Sequence, residues 1–144
     1  MSYPQLTLDK QLCHRLYMAS NSIIRAYREP LNALNITYPQ YVVMMALWET
    51  SPLSIAELLK KTVIDGGAMT QILKKMSDKN LIEIVTNAQD KRKREVHLSK
   101  DGLALREQAK DIPASITCKF SQIDTAQAQQ LMQLLDKVVS DLNA

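Results

Sequence analysis

Apolar residues recur at helical spacing along the first half of the chain and predict a series of helices. The first should cover about Leu8–Arg28, with Pro30 interrupting it. The segment "TYPQYVVMMALWE" predicts a second helix with Pro39 in its first turn, where a missing N–H costs nothing. The segment "SPLSIAELLKK" predicts a short third helix, because Ser54 and Glu57 have the spacing of a capping box.

A fourth helix is predicted by "DGGAMTQILKKMSDKN", with Asp65 as its N-cap and an inner apolar stripe. The period then changes after Asn80, and "LIEIVT" and "REVHLS" predict two short strands joined by the charged turn "NAQDKRK". A fifth helix should begin near Lys100 and be kinked or ended by Pro113. The last helix carries an apolar stripe made of Leu131, Leu134, Leu135, Val138, Val139 and Leu142.

Two helices separated by a tight turn and followed by a charged hairpin form the element order of a winged helix-turn-helix. We therefore expect a mainly α fold with a small β-hairpin wing, in agreement with only three glycines and five prolines. The 144 residues predict one domain. Within it, residues 36–99 would form the DNA-binding region. The apolar content of the two ends exceeds what one small domain needs, so residues 1–35 and 100–144 are predicted to be dimerisation helices.

Positive charge is concentrated in the middle of the chain. Lys60–Lys100 contains ten Lys and Arg residues against five Asp and Glu, whereas the remainder contains eight against ten. Such a distribution is expected of a surface that binds nucleic acid. From charge alone, a merely solvated basic face remains an equal alternative.

The polar side of the fourth helix and the hairpin tip carry side chains suited to double-stranded DNA. Hydroxyl, amide and ammonium groups on such a helix can read base edges and phosphates in the major groove. Free N–H groups at its start can bind a phosphate, and four consecutive basic residues at the hairpin tip suit the minor groove or the backbone. The candidate DNA-binding residues are Asp65, Gly66, Thr70, Gln71, Lys74, Lys75, Asp90, Arg92 and Arg94.

The segment "DKRKREVHLSKDG" resembles the D-x-R-x-x-x-V-x-L-T-x-x-G wing signature of the MarR family of dimeric winged-helix regulators, with Ser99 in place of the usual threonine. The resemblance implies that Asp90 orients Arg92, which enters the minor groove. It also implies a homodimer that binds a pseudo-palindromic operator.

The segments "LCHRLY", "TYPQY" and "DGGAMTQILKKM" are similar to the organic hydroperoxide resistance regulators within that family. This similarity covers nearly the whole chain. It implies a transcriptional repressor that senses organic hydroperoxides through a reactive cysteine and then releases its operator. Gly66 stands where these proteins often have serine, and Gln71 where proline is common, so the operator sequence is not implied.

Cys13 is the candidate peroxidatic cysteine, since a thiolate is the nucleophile that attacks a peroxide. In the resembling proteins the residues that donate hydrogen bonds to this thiolate match Tyr27 and Tyr38, and Tyr17 lies one turn from Cys13. Fourteen residues on one helix separate Cys13 from Tyr27 by about 21 Å. A contact between them therefore requires a second subunit. Inert packing of Cys13 and the tyrosines is the alternative.

Cys118, in "ITCKF", is the only other cysteine and is the candidate resolving thiol. The two-cysteine branch of the resembling regulators places a second thiol similarly, which implies a disulfide between Cys13 and Cys118 of two subunits after oxidation. Core packing of Cys118 is the alternative.

Two further functions remain open from the sequence. One is a MarR-type repressor released by a small phenolic ligand without cysteine chemistry. The other is a thiol peroxidase, but an enzyme would leave the basic wing unexplained, so we expect none. No cofactor is expected, and the isolated His14 and His97 predict no metal site. The absence of a signal peptide and of an apolar run of about 20 residues predicts a cytoplasmic protein without membrane contact.

Overall fold

The computed structural model describes residues 2–144, which are mainly helical with one small sheet. The two turns of 3-10 helix Pro4–Leu6 and Leu8–Lys10 precede the regular elements. These are α1 (Leu12–Ala33), α2 (Tyr38–Glu49), β1 (Leu53–Ser54), α3 (Ile55–Thr62), α4 (Gly66–Asp78), β2 (Ile82–Thr86), β3 (Arg94–Leu98), α5 (Lys100–Ala109), α6 (Ile112–Thr117) and α7 (Thr125–Leu142). The chain divides into two compact units, with the boundary between Lys110 and Asp111.

The helix starts follow the predicted capping chemistry. Ser54 accepts a hydrogen bond from the Glu57 N–H, and Glu57 accepts one from the Ser54 N–H, so α3 begins with a complete capping box. The Asp65 side chain accepts hydrogen bonds at the start of α4, and Pro39 lies in the first turn of α2. Each such cap stabilises a helix by about 1 kcal/mol, which explains why these boundaries are readable from sequence.

The first helix differs from its predicted bounds at both ends. Leu8–Lys10 forms a separate turn because Gln11 is extended, and α1 continues through Pro30 to Ala33. A proline inside a helix removes one backbone hydrogen bond and its ring clashes with the preceding turn, at a cost of about 3 kcal/mol. The last turn is held by packing instead, since Leu31 and Ile36 are buried and the Ile36 N–H donates to the Leu31 carbonyl.

The sheet contains the predicted hairpin and one additional strand. β2 and β3 pair antiparallel, with Ile84 opposite Val96, and β1 adds to the other edge of β3 with Leu53 opposite Val96. Two residues are too short to show an alternating pattern, so β1 was not predicted. The three strands bury Val96 completely.

The core of the first unit lies between α2, α3, α4 and β3. Its most buried side chains are Tyr41, Val43, Met44, Leu47, Leu58, Met69, Leu73, Met76 and Val96. Burial of each large apolar side chain contributes roughly 1.5–3 kcal/mol. Because α4 is held by one apolar face, its opposite face is directed to solvent.

The second unit, Asp111–Ala144, contains α6 and α7. As predicted, the fifth helix ends before Pro113, which lies in the first turn of α6. Ile112 and Ile116 of α6 are buried. On α7, however, most of the predicted apolar stripe is exposed, including Leu131, Leu134, Val139 and Leu142. An exposed apolar helix face is a typical site of protein association, and dimerisation through this helix stays a prediction.

Candidate nucleic-acid interface and thiol site

The N-terminal end of α4 is a capped helix start with little side-chain bulk. Asp65 Oδ2 accepts hydrogen bonds from the N–H groups of Gly67 at 3.1 Å and Ala68 at 3.4 Å. A Cβ added at Gly66 would meet no atom within 4 Å, so packing does not require glycine there. The carboxylate of Asp65 is thus occupied in capping, while Gly66 leaves open space at the helix start.

The polar face of α4 carries the predicted reading side chains, all of them exposed: Thr70, Gln71, Lys74 and Lys75. The Thr70 hydroxyl donates to the Gly66 carbonyl at 3.1 Å, so its oxygen lone pairs and methyl group are left for a ligand. The amide of Gln71 and the two ammonium groups offer donors and an acceptor on the same face. This set suits base edges and phosphates.

The hairpin tip is ordered by carboxylate and amide side chains. Asp90 Oδ1 accepts the Arg92 N–H at 3.1 Å and lies 3.6 Å from Arg92 Nε. The Arg92 side chain is 94% exposed, so the guanidinium projects from the tip, while Asp90 restrains the Arg92 backbone through its N–H. A surface ion pair of this kind contributes little stability, and its effect is on the direction of the side chain.

Asn87 is a wing residue that was not among the residues predicted from sequence. Its Oδ1 accepts the N–H groups of Gln89 and Asp90, and its own N–H donates to the Lys93 carbonyl. Asparagine at the first position of a turn often bonds the backbone two residues on, and the position of Asn87 in "TNAQD" was the available signal. Asn87 thereby holds the turn that carries Asp90.

The helix α4, which we call the reading helix, and the wing formed by β2 and β3 share a cleft of about 450 Å³. Thr70 and Lys74 of α4 line it together with Arg94 at the start of β3. Asp78 and Glu83 also line the cleft, so its charge is mixed. The structure thus brings three of the predicted DNA-binding residues to one concave surface.

Cys13 lies in the first turn of α1 and is exposed. Tyr17, one helical turn further on, is 64% exposed, and its ring stacks on that of His14 with the centroids 6.2 Å apart. Tyr27 lies on the same helix, fourteen residues beyond Cys13, which corresponds to about 21 Å. Tyr17 therefore flanks the thiol, whereas Tyr27 of the same chain does not reach it.

Three tyrosines form one aromatic cluster. The ring centroid of Tyr27 lies 5.1 Å from that of Tyr38 and 5.6 Å from that of Tyr41, and Tyr41 contacts Trp48. Burial raises the pKa of Tyr27, and Tyr38 raises this pKa further. Burial likewise raises the pKa of Tyr41 above its usual value. The phenol of Tyr27 consequently stays protonated near neutral pH and remains a hydrogen-bond donor.

Cys118 is also exposed and lies in the second unit, where it caps the C-terminal end of α6. It lines a cleft of about 500 Å³ with Phe120, Ile123 and residues from the start of α7. Neither cysteine is a core residue in this chain.

A model of the MarR family matches residues 36–93. The chain is 36% identical to the organic hydroperoxide resistance transcriptional regulator of Bacillus subtilis over 114 residues, which is 79% of this chain and 78% of the relative. The chain belongs to the MarR family. The matched segment begins in the α1–α2 loop and ends in the hairpin, so it covers residues 36–93 of the predicted DNA-binding region 36–99.

Solved MarR-type structures share the fold of this MarR-family protein. A point mutant of MarR from Escherichia coli, in complex with operator DNA, has a TM-score of 0.80 at 26% identity and covers 88% of this chain and 92% of its own. BpsR of Bordetella bronchiseptica, described in terms of regulation of its DNA binding by 6-hydroxynicotinic acid, has a TM-score of 0.85 at 24% identity, covering 96% and 98%. The protein is a DNA-binding transcriptional regulator of MarR type with a winged-helix fold.

Residues 2–144 also bear on membrane contact and metal binding. In this described part of the chain, no helix is long and apolar enough to cross a membrane. Across the same residues, no cluster of three or more His, Cys, Asp or Glu side chains has an arrangement that could hold a metal ion.

The exposed guanidinium on the wing leads to a prediction for Arg92→Ala. We expect binding to operator and to random duplex to weaken by a similar factor, roughly tenfold, and the salt slope to fall by about one. The reason is that contacts to phosphates and to the minor groove carry little sequence information. Fluorescence anisotropy over a salt series measures both quantities.

The matched control for Arg92 is Lys91→Ala, which removes the same charge one residue away at an exposed position without an Asp90 contact. A smaller loss is expected for this control. Wild-type affinity and salt slope in Arg92→Ala would show that Arg92 does not contact DNA.

Proposed function

We propose that this MarR-type regulator is a repressor that senses organic hydroperoxides by oxidation of Cys13 and then releases its operator. The observation that carries the proposal is the exposed thiol at the start of α1, together with the cluster of Tyr27 and Tyr38 elsewhere in the chain. The 36% identity to the Bacillus subtilis organic hydroperoxide resistance regulator supports the same chemistry.

The proposed sensing step is a two-electron oxidation of the Cys13 thiolate. The sulfur attacks the terminal oxygen of the hydroperoxide, the O–O bond breaks, and the alkoxide leaves and takes a proton to become the alcohol. Cys13 becomes a sulfenic acid. Neutral phenols stabilise the attacking thiolate by donating hydrogen bonds without adding charge, which is the role proposed for Tyr17, Tyr27 and Tyr38.

The proposed site is completed by a second copy of the chain. Because Tyr27 lies about 21 Å along α1 from Cys13, the Tyr27 phenol that meets the thiolate must come from the partner. Exposed apolar side chains on α1 and α7, among them Leu12, Met18 and Leu134, support association of two copies. A homodimer also matches a pseudo-palindromic operator, since each copy presents one α4 and one wing.

A second candidate is a repressor released by a small aromatic acid without cysteine chemistry. A cleft of about 280 Å³ lies beside Tyr38, and Arg28 lines it together with apolar residues of α1 and of the α1–α2 loop. An aromatic carboxylate would find both a ring contact and a cation there. The fold shared with BpsR, whose DNA binding is described as regulated by 6-hydroxynicotinic acid, favours keeping this candidate.

An operator titration distinguishes the two candidates. Operator duplex bound to the reduced protein is followed by anisotropy during addition of cumene hydroperoxide, or of 6-hydroxynicotinic acid, in thiol-free buffer. Sensing by Cys13 predicts release with the hydroperoxide alone and reversal by dithiothreitol. If the acid alone causes release, and mass spectrometry shows that both cysteines are still reduced, the second candidate would replace the proposal.

A further inference from the structure

Lys79 differs from the other basic residues of the middle segment in where its charge lies. The other nine Lys and Arg residues of Lys60–Lys100 are exposed, whereas Lys79 is half-buried. It caps the C-terminal end of α4, and its Nζ donates to the Asn35 carbonyl at 2.7 Å and to Gln40 Oε1 at 3.0 Å. Its ammonium group is therefore held by two protein oxygens.

Both acceptors are held in place by their own local structure. Gln40 is 2% exposed, and its Oε1 also accepts the Thr37 N–H at 3.1 Å within the capping box of α2. Asn35 adopts a left-handed backbone conformation with φ 56°, which asparagine tolerates better than most residues. The α1–α2 loop thus presents a preformed pair of oxygens to one ammonium group.

The position of Lys79 argues against a direct contact with DNA. Thirteen residues of α4 separate it from the N-terminal end, which corresponds to about 20 Å. This distance exceeds the Debye length of about 8 Å at physiological ionic strength. The N-terminal residues of a recognition helix are those that contact base edges.

We propose that Lys79 is a positioning residue for DNA reading. By holding the C-terminal end of α4 against Asn35 and Gln40, it fixes the orientation of α4 relative to α2 and the α1–α2 loop, so that Thr70 and Gln71 reach base edges in register. Recognition geometries of this kind tolerate deviations of only about 0.5 Å or 10–20°, whereas contacts of flexible lysines with phosphates tolerate more. Loss of the Lys79 contacts with Asn35 and Gln40 should therefore reduce discrimination between DNA sequences and leave non-specific DNA binding intact.

The test is the binding of reduced Lys79→Met to two duplexes of equal length, one selected by the wild-type protein from a random pool and one of scrambled sequence. We expect affinity for the selected duplex to fall roughly tenfold, in the usual range of coupling between two parts of a protein. Affinity for the scrambled duplex and its salt slope should stay at wild-type values. The control is Lys110→Met, which removes one exposed charge away from the junction formed by Lys79, Asn35 and Gln40. It should bind both duplexes as the wild type does.

Two more variants separate positioning from loss of stability. Gln40→Glu keeps an acceptor for both Thr37 and Lys79, and it should retain discrimination. Gln40→Met should lose this discrimination. The double variant Gln40→Met/Lys79→Met should lose little more than either single variant, because both substitutions act through the same junction. All binding is measured well below the lowest Tm of the set.

Two results would overturn the positioning role. Equal weakening on both duplexes with a salt slope reduced by about one would assign Lys79 to a phosphate contact instead. Unchanged discrimination in both Lys79→Met and Gln40→Met would remove the junction from DNA reading. Neither result depends on an oxidant, so both are distinguishable from a failure of the proposed hydroperoxide sensing.

Discussion

Gly102→Ala should destabilise the folded protein by about 3 kcal/mol and lower its Tm by roughly 10 °C. Gly102 is buried, and a Cβ built at this position would lie 2.0 Å from the Leu81 carbonyl oxygen. That oxygen is not free to move away, because it accepts the Ser99 N–H at 3.1 Å. Thermal unfolding followed by circular dichroism measures the change.

The backbone on the other side of Gly102 is fixed as well. Its carbonyl accepts the Trp48 indole N–H at 2.9 Å, and its N–H donates to the Ser99 hydroxyl that caps α5. A shift that relieved the overlap with Leu81 would therefore lengthen one of these hydrogen bonds. The glycine that closes the wing signature is thus required by close backbone approach rather than by its conformation.

Gly66→Ala is the matched control, since its Cβ would enter open space at the first position of α4. Alanine is the better helix former, so the Tm of this variant should stay the same or rise slightly. A Tm of Gly102→Ala within about 2 °C of the wild type would show that the backbone at Leu81 yields, and would contradict the packing argument.

Local chemistry explains how much of the fold was predictable from sequence. Ser54, Asp65 and Pro39 act within a few residues of their own positions, and all three were confirmed. The first helix was predicted wrongly at both ends: it starts later because Gln11 is extended, and it ends later because burial of Leu31, a tertiary effect, outweighs the cost of Pro30. No local pattern reports that balance.

The candidate site shows the same division. The wing residues could be proposed from sequence because their signature is contiguous, and the contact between Asp90 and Arg92 is set within three residues. The contact between Tyr27 and Tyr38 depends on how α1 and α2 meet across the intervening loop. Lys79 was counted among the basic residues of a surface, because only the fold brings it to Asn35 and Gln40.

Cys13→Ser should give a protein that binds its operator as the wild type does but is not released by cumene hydroperoxide. Serine keeps the approximate size of the side chain at an exposed position, so the fold should be unaffected, whereas its hydroxyl is not oxidised by a hydroperoxide as a thiolate is. Loss of release should be complete in anisotropy measurements. Release of this variant at wild-type peroxide concentrations would place the sensor elsewhere.

The fate of the oxidised Cys13 distinguishes a two-cysteine from a one-cysteine sensor. We expect the sulfenic acid of Cys13 to be attacked by the Cys118 thiol of a second subunit, forming a disulfide and releasing water. The Cα atoms of the two residues must then come within about 7 Å, and the movement this requires would separate the two reading helices of the dimer. Both residues are exposed in the single chain, as such a reaction requires.

Non-reducing electrophoresis of peroxide-treated protein measures this step. Wild type should run as a covalent dimer, and both Cys13→Ser and Cys118→Ser as monomers, while a dimedone adduct on Cys13 should accumulate in Cys118→Ser alone. A covalent dimer in Cys118→Ser would mean that two Cys13 thiols join. If wild type instead stays monomeric on the gel and yet leaves its operator, Cys13 acts with a small thiol, and Cys118 has no part in the switch.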